Sequence, residues 1–271
     1  MTNDNNDFGA DFFVAAGERD PVKAARDPAR SLPKRFYNEA TVGDAAEGFE
    51  VLLDGRPVNT PARRRVLVPV RGLAEALTAE WAAQAETIDP STMPLTRLTN
   101  TALDGVADQM SAVEAEVVKF AASDLICYRA GEPEGLVAAQ AIAWDPVVAF
   151  ARERLGARLA LAEGVMFVAQ SDAALEALAA ATREWVGQGP AAAFSLAALY
   201  EMTTLTGSLA LALALALKAM TLDAAWAAAH VDEEFQMRSW GEDVEALARR
   251  HRRFTDMQAA SFMARETAMA S

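Results

Sequence analysis

From Leu205 to Leu217 only Thr206, Gly207 and Ser208 interrupt an apolar run, and from Leu209 onward leucine alternates with alanine at every second position. Strict alternation has the period of a strand. Leucine and alanine, however, are among the strongest helix formers and carry no β-branch. On a helix this pattern gives a cylinder that is apolar on every side. The run predicts a buried central helix, with a strand as the competing reading. It is shorter than the roughly 18 to 20 apolar residues that cross a bilayer, and Glu201 precedes it while Lys218 follows it, so no membrane insertion is expected. Other parts of the chain must therefore cover it.

Composition supplies that cover. With 271 residues, 52% hydrophobic and 23% charged, the chain reads as a soluble globular protein of one or two domains with ample core. A formal net charge of -13 and a pI near 4.7 argue against general affinity for nucleic acid or an anionic membrane surface. They suit solubility, or a partner with a basic face. Cys127 is the only cysteine, so no intrachain disulfide can form and a reducing compartment is the natural assumption. Its expected role is that of a small buried hydrophobe. Residues 1–32 lack the apolar core of a secretory signal and carry Asp4, Asp7 and Asp11 where a mitochondrial transit peptide is poor in acids. They read as a mobile tail whose Phe8, Phe12, Phe13 and Val14 are candidates for docking.

The predicted fold class is α+β. Phe49 to Leu53 reads as a strand, Asp54-Gly55 as a hairpin turn, and Val66 to Val68 as a further strand. Pro57, Pro61 and Pro69 keep these strands short, irregular or at an edge, because proline lacks the amide a central ladder needs. Leu73, Leu77 and Trp81 then share one stripe of a helix over 73–87. Trp81 is expected to pack between this small unit and the helices that follow, with Gly55 and Pro94 as further structural positions. A small mixed α/β domain with a short antiparallel sheet is thus expected over 33–105, and a mainly helical domain over 106–271. Within the latter, Ser111 and Glu114 predict a capping box for a helix reaching Tyr128, and Asp145-Pro146 predicts an N-cap followed by proline at the first helical position. Further helices are expected over 172–185, 190–204, 222–238 and 242–265. Val165 to Val168 is strand-like and is expected to add to the N-terminal sheet.

No phosphate-binding glycine loop, dinucleotide fingerprint, HExxH, CxxC or GxSxG is present. Catalytic residues, cofactors and metals are accordingly not assigned. His230 and His251 are the only histidines. His251 shares a helical stripe with Val244, Leu247 and Phe254 and is expected to face the core. His230 and Glu234, four residues apart, fit either a local ion pair or half of a metal site, with no third ligand in view. The acidic groups Asp232-Glu233-Glu234 and Glu242-Asp243-Glu245 flank Trp240-Gly241, a predicted helix break with Ser239 and Glu242 as its capping box. Such clusters are ordinarily solvated helix faces. Beside a large aromatic they also form a docking surface, where tryptophan supplies area and the acids select a basic partner. Arg249, Arg250, Arg252 and Arg253 follow, too short a run in so acidic a chain to argue for nucleic acid.

Taken in order, Arg35-Phe36-Tyr37, Asp54-Gly55-Arg56-Pro57 with Thr60-Pro61, Glu80-Trp81, Met93-Pro94-Leu95-Thr96, Cys127-Tyr128-Arg129, Trp144-Asp145-Pro146, Thr206-Gly207-Ser208, Asp232-Glu233 and Trp240-Gly241 resemble the Atp12-type assembly chaperones of F1-ATPase. The likeness covers roughly residues 33–258. It implies a non-enzymatic factor that binds the unassembled α subunit of F1 and shields its subunit interface until a β subunit replaces it. It also implies a small mixed domain followed by a helical one, and a functional acid near Trp240-Gly241, for which Glu242, Asp243 and Glu245 compete. Asp232, Glu233, Glu234 and Trp240 complete the expected partner-binding set. The missing transit peptide and alanine-rich composition point to a bacterial member in the cytoplasm; a eukaryotic one would sit in the mitochondrial matrix. A monomer is the default expectation. The competing readings are a small-molecule enzyme using the carboxylates around Trp240, and an interaction module with another partner.

Overall fold

A computed structural model describes residues 32–164, 166–240 and 244–269, without the side chains of 239, 240 and 244. The described residues gather into two compact units, one ending at Gly105 and the other beginning at Val106.

The first unit is built on a four-stranded antiparallel sheet. Strand β2 (Gly48–Leu53) pairs along its whole length with β1 (Ala40–Ala45), while β3 (Arg56–Pro57) and β4 (Leu67–Val68) share its other edge. Asp54 and Gly55 make the β2–β3 turn with φ of 48° and 76°, the left-handed pair a type I′ turn requires. Asp54 also accepts from the amides of Asn38 and Glu39, so its side chain ties the turn to the start of β1. β1 carries little strand signal of its own, since Gly43 and Asp44 interrupt it, and it forms because β2 offers a full ladder. Helix α1 (Arg71–Ala82) lies on β1 and β2 with Leu73, Ala74 and Leu77 buried.

Two long-range side chains finish the ends of helices in this unit. Helix α2 (Pro94–Thr101) has proline at its first position and no side-chain cap from Met93. Glu80 supplies the cap from α1, accepting from the Leu95 amide at 2.8 Å, the Thr96 amide at 2.7 Å and the Thr96 hydroxyl at 2.7 Å. Just beyond Glu80, at the C-terminal end of α1, Arg35 donates to the carbonyls of Ala82 and Gln84 and stacks on Tyr37. The Tyr37 hydroxyl donates to the Trp81 carbonyl, and the two rings meet edge to face.

The second unit is helical: α3 (Met110–Ala122), α4 (Glu134–Arg154), α5 (Asp172–Val186), α6 (Ala192–Thr206), α7 (Leu209–Ala216), α8 (Leu222–Ala229), α9 (Val231–Trp240) and α10 (Val244–Thr267). The Leu/Ala run is α7, and it touches α3, α4, α5, α6, α8 and α10. Every residue from Leu209 to Leu215 is 0 to 9% exposed. At about 100° per residue the alternation places Leu209 with Leu213 on one face and Leu211 with Leu215 on the opposite one, with alanines between. Large side chains thus reach two sets of neighbours, and the alanine faces let other helices approach closely. On one side Ala210, Leu211 and Ala214 join Ile126, Cys127, Trp144, Val147 and Ala228 in a single cluster. The Trp144 indole donates to the Ala228 carbonyl at 2.7 Å, so its one polar atom is satisfied inside that cluster.

Four sequence expectations are corrected in this unit. Ser111 does not cap α3, which starts at Met110 with Gln109 before it and no side-chain cap; Glu114 instead pairs with Arg183 of α5. The helix ends at Ala122 rather than Tyr128, because Asp124 turns its carboxylate back to the Ile126 amide and starts a short 3-10 turn, Leu125–Cys127. Asp145-Pro146 does not start a helix: α4 runs through it from Glu134. Proline there removes only the bond to the Ile142 carbonyl, and Ile142 is 79% exposed, so the interruption lies where water replaces the missing donor. Asp145 pairs with Arg129 instead. Of the strand-like stretch 165–168, Val165 lies outside the described residues, Met166 to Val168 form no strand, and Met166 and Phe167 are more than 70% exposed. The local strand is β6 (Ala162–Glu163), parallel to β5 (Tyr128–Arg129), and the chain leaves the ladder at Gly164.

Asp124 is fully buried at the start of α7. The preceding helix α6 closes on Gly207 at φ 68°, Ser208 caps α7 through the Leu211 amide at 3.0 Å, and Asp124 accepts from the Ala210 amide at 3.1 Å. Burial raises its pKa from 3.8 to about 6, with the Ser208, Ala210, Ile126 and Leu209 hydrogen bonds pulling the other way. Between those two values the folded protein keeps a proton that the unfolded chain has released. Asp124's contribution is therefore complete below pH 4 and lost as pH rises to about 6, on the order of 3 kcal/mol in all. In urea denaturation at pH 4 and pH 7, wild type is expected to lose that much more stability than Asp124→Asn across the interval. Parallel pH profiles would show that Asp124 does not titrate there.

Candidate functional site

Helix α9 does not continue α8 as the single helix expected over 222–238. The break is at His230, at φ -121°, ψ 19°. Its ring Nδ1 lies 2.8 Å from the Trp226 carbonyl, the acceptor that the residue's own amide would use in an unbroken helix; that amide bonds Ala227 instead. Helix α9 restarts when the Glu234 amide takes the His230 carbonyl. The imidazole stacks on Trp226 with centroids 4.0 Å apart, and Trp226 meets Phe254 of α10 at 5.2 Å. Burial lowers the His230 pKa, and the Trp226 carbonyl and Glu233 oppose that only in part. His230 is thus a neutral hinge pin. It does not pair with Glu234 in the way its spacing predicts, and among the described residues no group of three or more His, Cys, Asp or Glu is placed to hold a metal.

The carboxylates separate into different roles. Asp232 accepts from Gln140 at 2.7 Å, and the buried Gln140 also accepts from the Ala130 amide, so this acid fastens α9 to α4. Glu234 takes Arg250 of α10 at 2.5 Å and lies 3.9 Å from Arg238. Glu233 and Glu245 are exposed. Glu242, Asp243 and Gly241 lie outside the described residues, as does the Ser239–Glu242 capping box; Trp240 ends α9 and its side chain is not described. Two members of the basic run also have internal partners: Arg250 through Glu234, and Arg253 through the Leu205 carbonyl at the C-terminal end of α6.

Between α8, α9 and α10 these contacts leave an open groove of about 580 Å³, lined by Trp226, Met237, Leu247 and Phe254 with Glu234, Arg238, Arg250 and His251. Met237, Leu247 and Phe254 are only half-buried. His251 is exposed at its edge, correcting the expectation of a core-facing residue. The stripe that carries Leu247 and Phe254 was visible in the sequence, but a helical stripe does not say whether another helix or an opening covers it. Met237 and Gln140 carried no sequence signal for their roles.

Residues 34–152 match the family described as ATP12 chaperone protein. The whole fold is similar to the solved structure of the Atu1473 protein from Agrobacterium tumefaciens, with 46% identity, a TM-score of 0.82 and 92% of each chain covered. It is likewise similar to Atp12 from Paracoccus denitrificans, at 39% identity and a TM-score of 0.78, covering 87% of this chain and 98% of that one. An Asp-to-Lys mutant of the Paracoccus protein matches at 38% identity and the same TM-score. The chain belongs to the ATP12 chaperone family. Among the described residues no helix is long and apolar enough to cross a membrane.

The Glu234–Arg250 pair braces the two walls of the groove, and its side chains are 33% and 18% exposed. Glu234→Gln leaves Arg250 half-buried without its counter-charge, which is expected to cost about 1–2 kcal/mol. Thermal denaturation of Glu234→Gln, Arg250→Met and the double variant measures the coupling; strictly additive losses would show that the pair braces nothing.

Proposed function

We propose that this protein is a holding chaperone for assembly of the F1 sector of ATP synthase, binding the unassembled α subunit and shielding its subunit interface without nucleotide hydrolysis or other catalysis. The observation that carries this reading is family membership over nearly the full length of a solved Atp12, 98% of whose chain is covered. The half-buried apolar lining of the groove supports it, since a holding surface must offer apolar area to a client while the chaperone itself stays folded. Of the acids expected near Trp240, Asp232 and Glu234 are poorly suited to acid–base work: both hold internal partners, and the groove that Glu234 lines is open rather than enclosed. Release needs no energy source, because a β subunit that binds α more tightly displaces the chaperone by mass action.

In this reading the client meets the acids carried by α9 and α10, Glu233 and Glu245 being exposed among the described residues, together with Trp240, Glu242 and Asp243 of the sequence between the two helices. The acids select a client surface with basic groups. The protein acts as a monomer in the bacterial cytoplasm, with no nucleic acid, metal or cofactor. Co-expression with isolated F1 α subunit is expected to keep α soluble in a recoverable complex, and Glu242→Lys with Asp243→Lys to weaken that complex about tenfold at an unchanged melting temperature. Aggregation of α as in the chaperone's absence would reject the client; full binding by the well-folded double variant would remove those acids from the interface.

A further inference from the structure

The described lining of the groove carries the opposite sign to the chain as a whole. The chain has a net charge of -13, yet among the described residues the charged groups lining the groove are one acid, Glu234, against Arg238 and Arg250, with His251 beside them. That acid is already engaged, at 2.5 Å from Arg250 and 3.9 Å from Arg238. Arg238 keeps most of its side chain in solvent despite the contact, at 79% exposure, and the exposed His251 of α10 lines the same groove. Below them lie the apolar side chains of Trp226, Met237, Leu247 and Phe254.

This arrangement discriminates among segments that could enter. A basic segment would bring its charge against Arg238 while Glu234, the only lining carboxylate among the described residues, is already paired. A wholly apolar one would fill the floor and gain nothing from the rim. An amphipathic segment with a carboxylate on the edge of its apolar face gains both terms, in the manner of a helix laid in a groove. The volume, about 580 Å³, admits a few side chains and not a folded domain. The exposed Glu233 on α9, outside the groove lining, would repel an acid placed beside it, and so favour the register that seats the acid inside.

We infer that the α8–α9–α10 groove captures an amphipathic client segment bearing an acidic side chain, with its apolar face on Trp226, Met237, Leu247 and Phe254 and its carboxylate at Arg238 and His251. The identity of the client rests on the chaperone function proposed above; the chemistry of the segment does not. Basic groups elsewhere on the client meet the acids outside the groove, so one client presents both signs in a set order.

Two helical Leu/Ala peptides, identical except for Glu or Lys at the same edge positions, provide the test when titrated calorimetrically into the full-length protein. The Glu peptide is expected to bind about tenfold more tightly than the Lys peptide. Arg238→Gln with His251→Gln should shrink that preference, and Arg238→Glu with His251→Glu should reverse it; both positions are exposed, and melting curves check the fold. Equal affinities, or a preference for Lys, in the wild type would overturn the inference, as would a Glu preference that survives charge reversal. Capture of isolated F1 α separates this from the client assignment: α ignored by wild type would sink the client while the peptide preference stands, and α held equally by wild type and the charge-reversed variant would sink the groove alone.

Discussion

The helical unit depends on placing a helix that is apolar on all sides where no water reaches it. Helix α7 is only eight residues long, yet it touches six others, and each buried leucine contributes on the order of 1.5–3 kcal/mol relative to exposure. Such a helix has a difficult start, because its first amides point into a region without solvent to satisfy them. Ser208 and Asp124 resolve this from two sides, and the Leu125 amide bonds the Gly207 carbonyl across the same corner. The carboxylate is held where helix amides favour its charge and burial opposes it. Its raised pKa is the balance of those two effects.

The motifs by which the chain resembles its family are largely the motifs that finish its backbone. Arg35 closes the C-terminal end of α1, Glu80 caps α2, Asp54 and Gly55 turn the hairpin, Thr60 bonds Asp104, Trp144 satisfies its indole on Ala228, and Asp232 is held by Gln140. Each of these contacts requires a particular donor or acceptor at a particular place, whereas an apolar core position accepts several side chains of similar volume. The residue pattern that identifies the family is therefore mostly a record of how the scaffold is held. The surface between α8, α9 and α10 is lined by less distinctive residues.

Electrostatics divides that surface. The acids of α9 look equivalent in sequence, but one is a tether, one is a brace and one is exposed. The arginine run divides likewise: Arg253 binds the end of α6, Arg250 the brace, and Arg238 from the preceding helix is left facing the groove. A net charge says nothing of this, because the sign that a partner meets in a cleft depends on which charges are already neutralised by neighbours.

Local chemistry was legible wherever a residue acts through its immediate neighbours along the chain. The Leu/Ala run read as a buried helix over a strand, since its composition forms helix and its pattern leaves no solvent face; Asp54-Gly55 read as a turn, and Cys127 as a small buried hydrophobe. What failed were signals that need a partner from elsewhere. Ser111-x-x-Glu114 has the letters of a cap, but Glu114 found Arg183; Asp145-Pro146 has the letters of a helix start, but the exposed side of α4 absorbs the proline; Met166 to Val168 have strand propensity and pair with no strand among the described residues. His251 and its stripe were legible as one face of a helix, while whether that face met protein or an opening was settled by where α8 and α9 bend at His230. Periodicity fixes which residues share a face because it is a property of one helix. The tertiary structure alone decides what the face meets, because that depends on the paths of three.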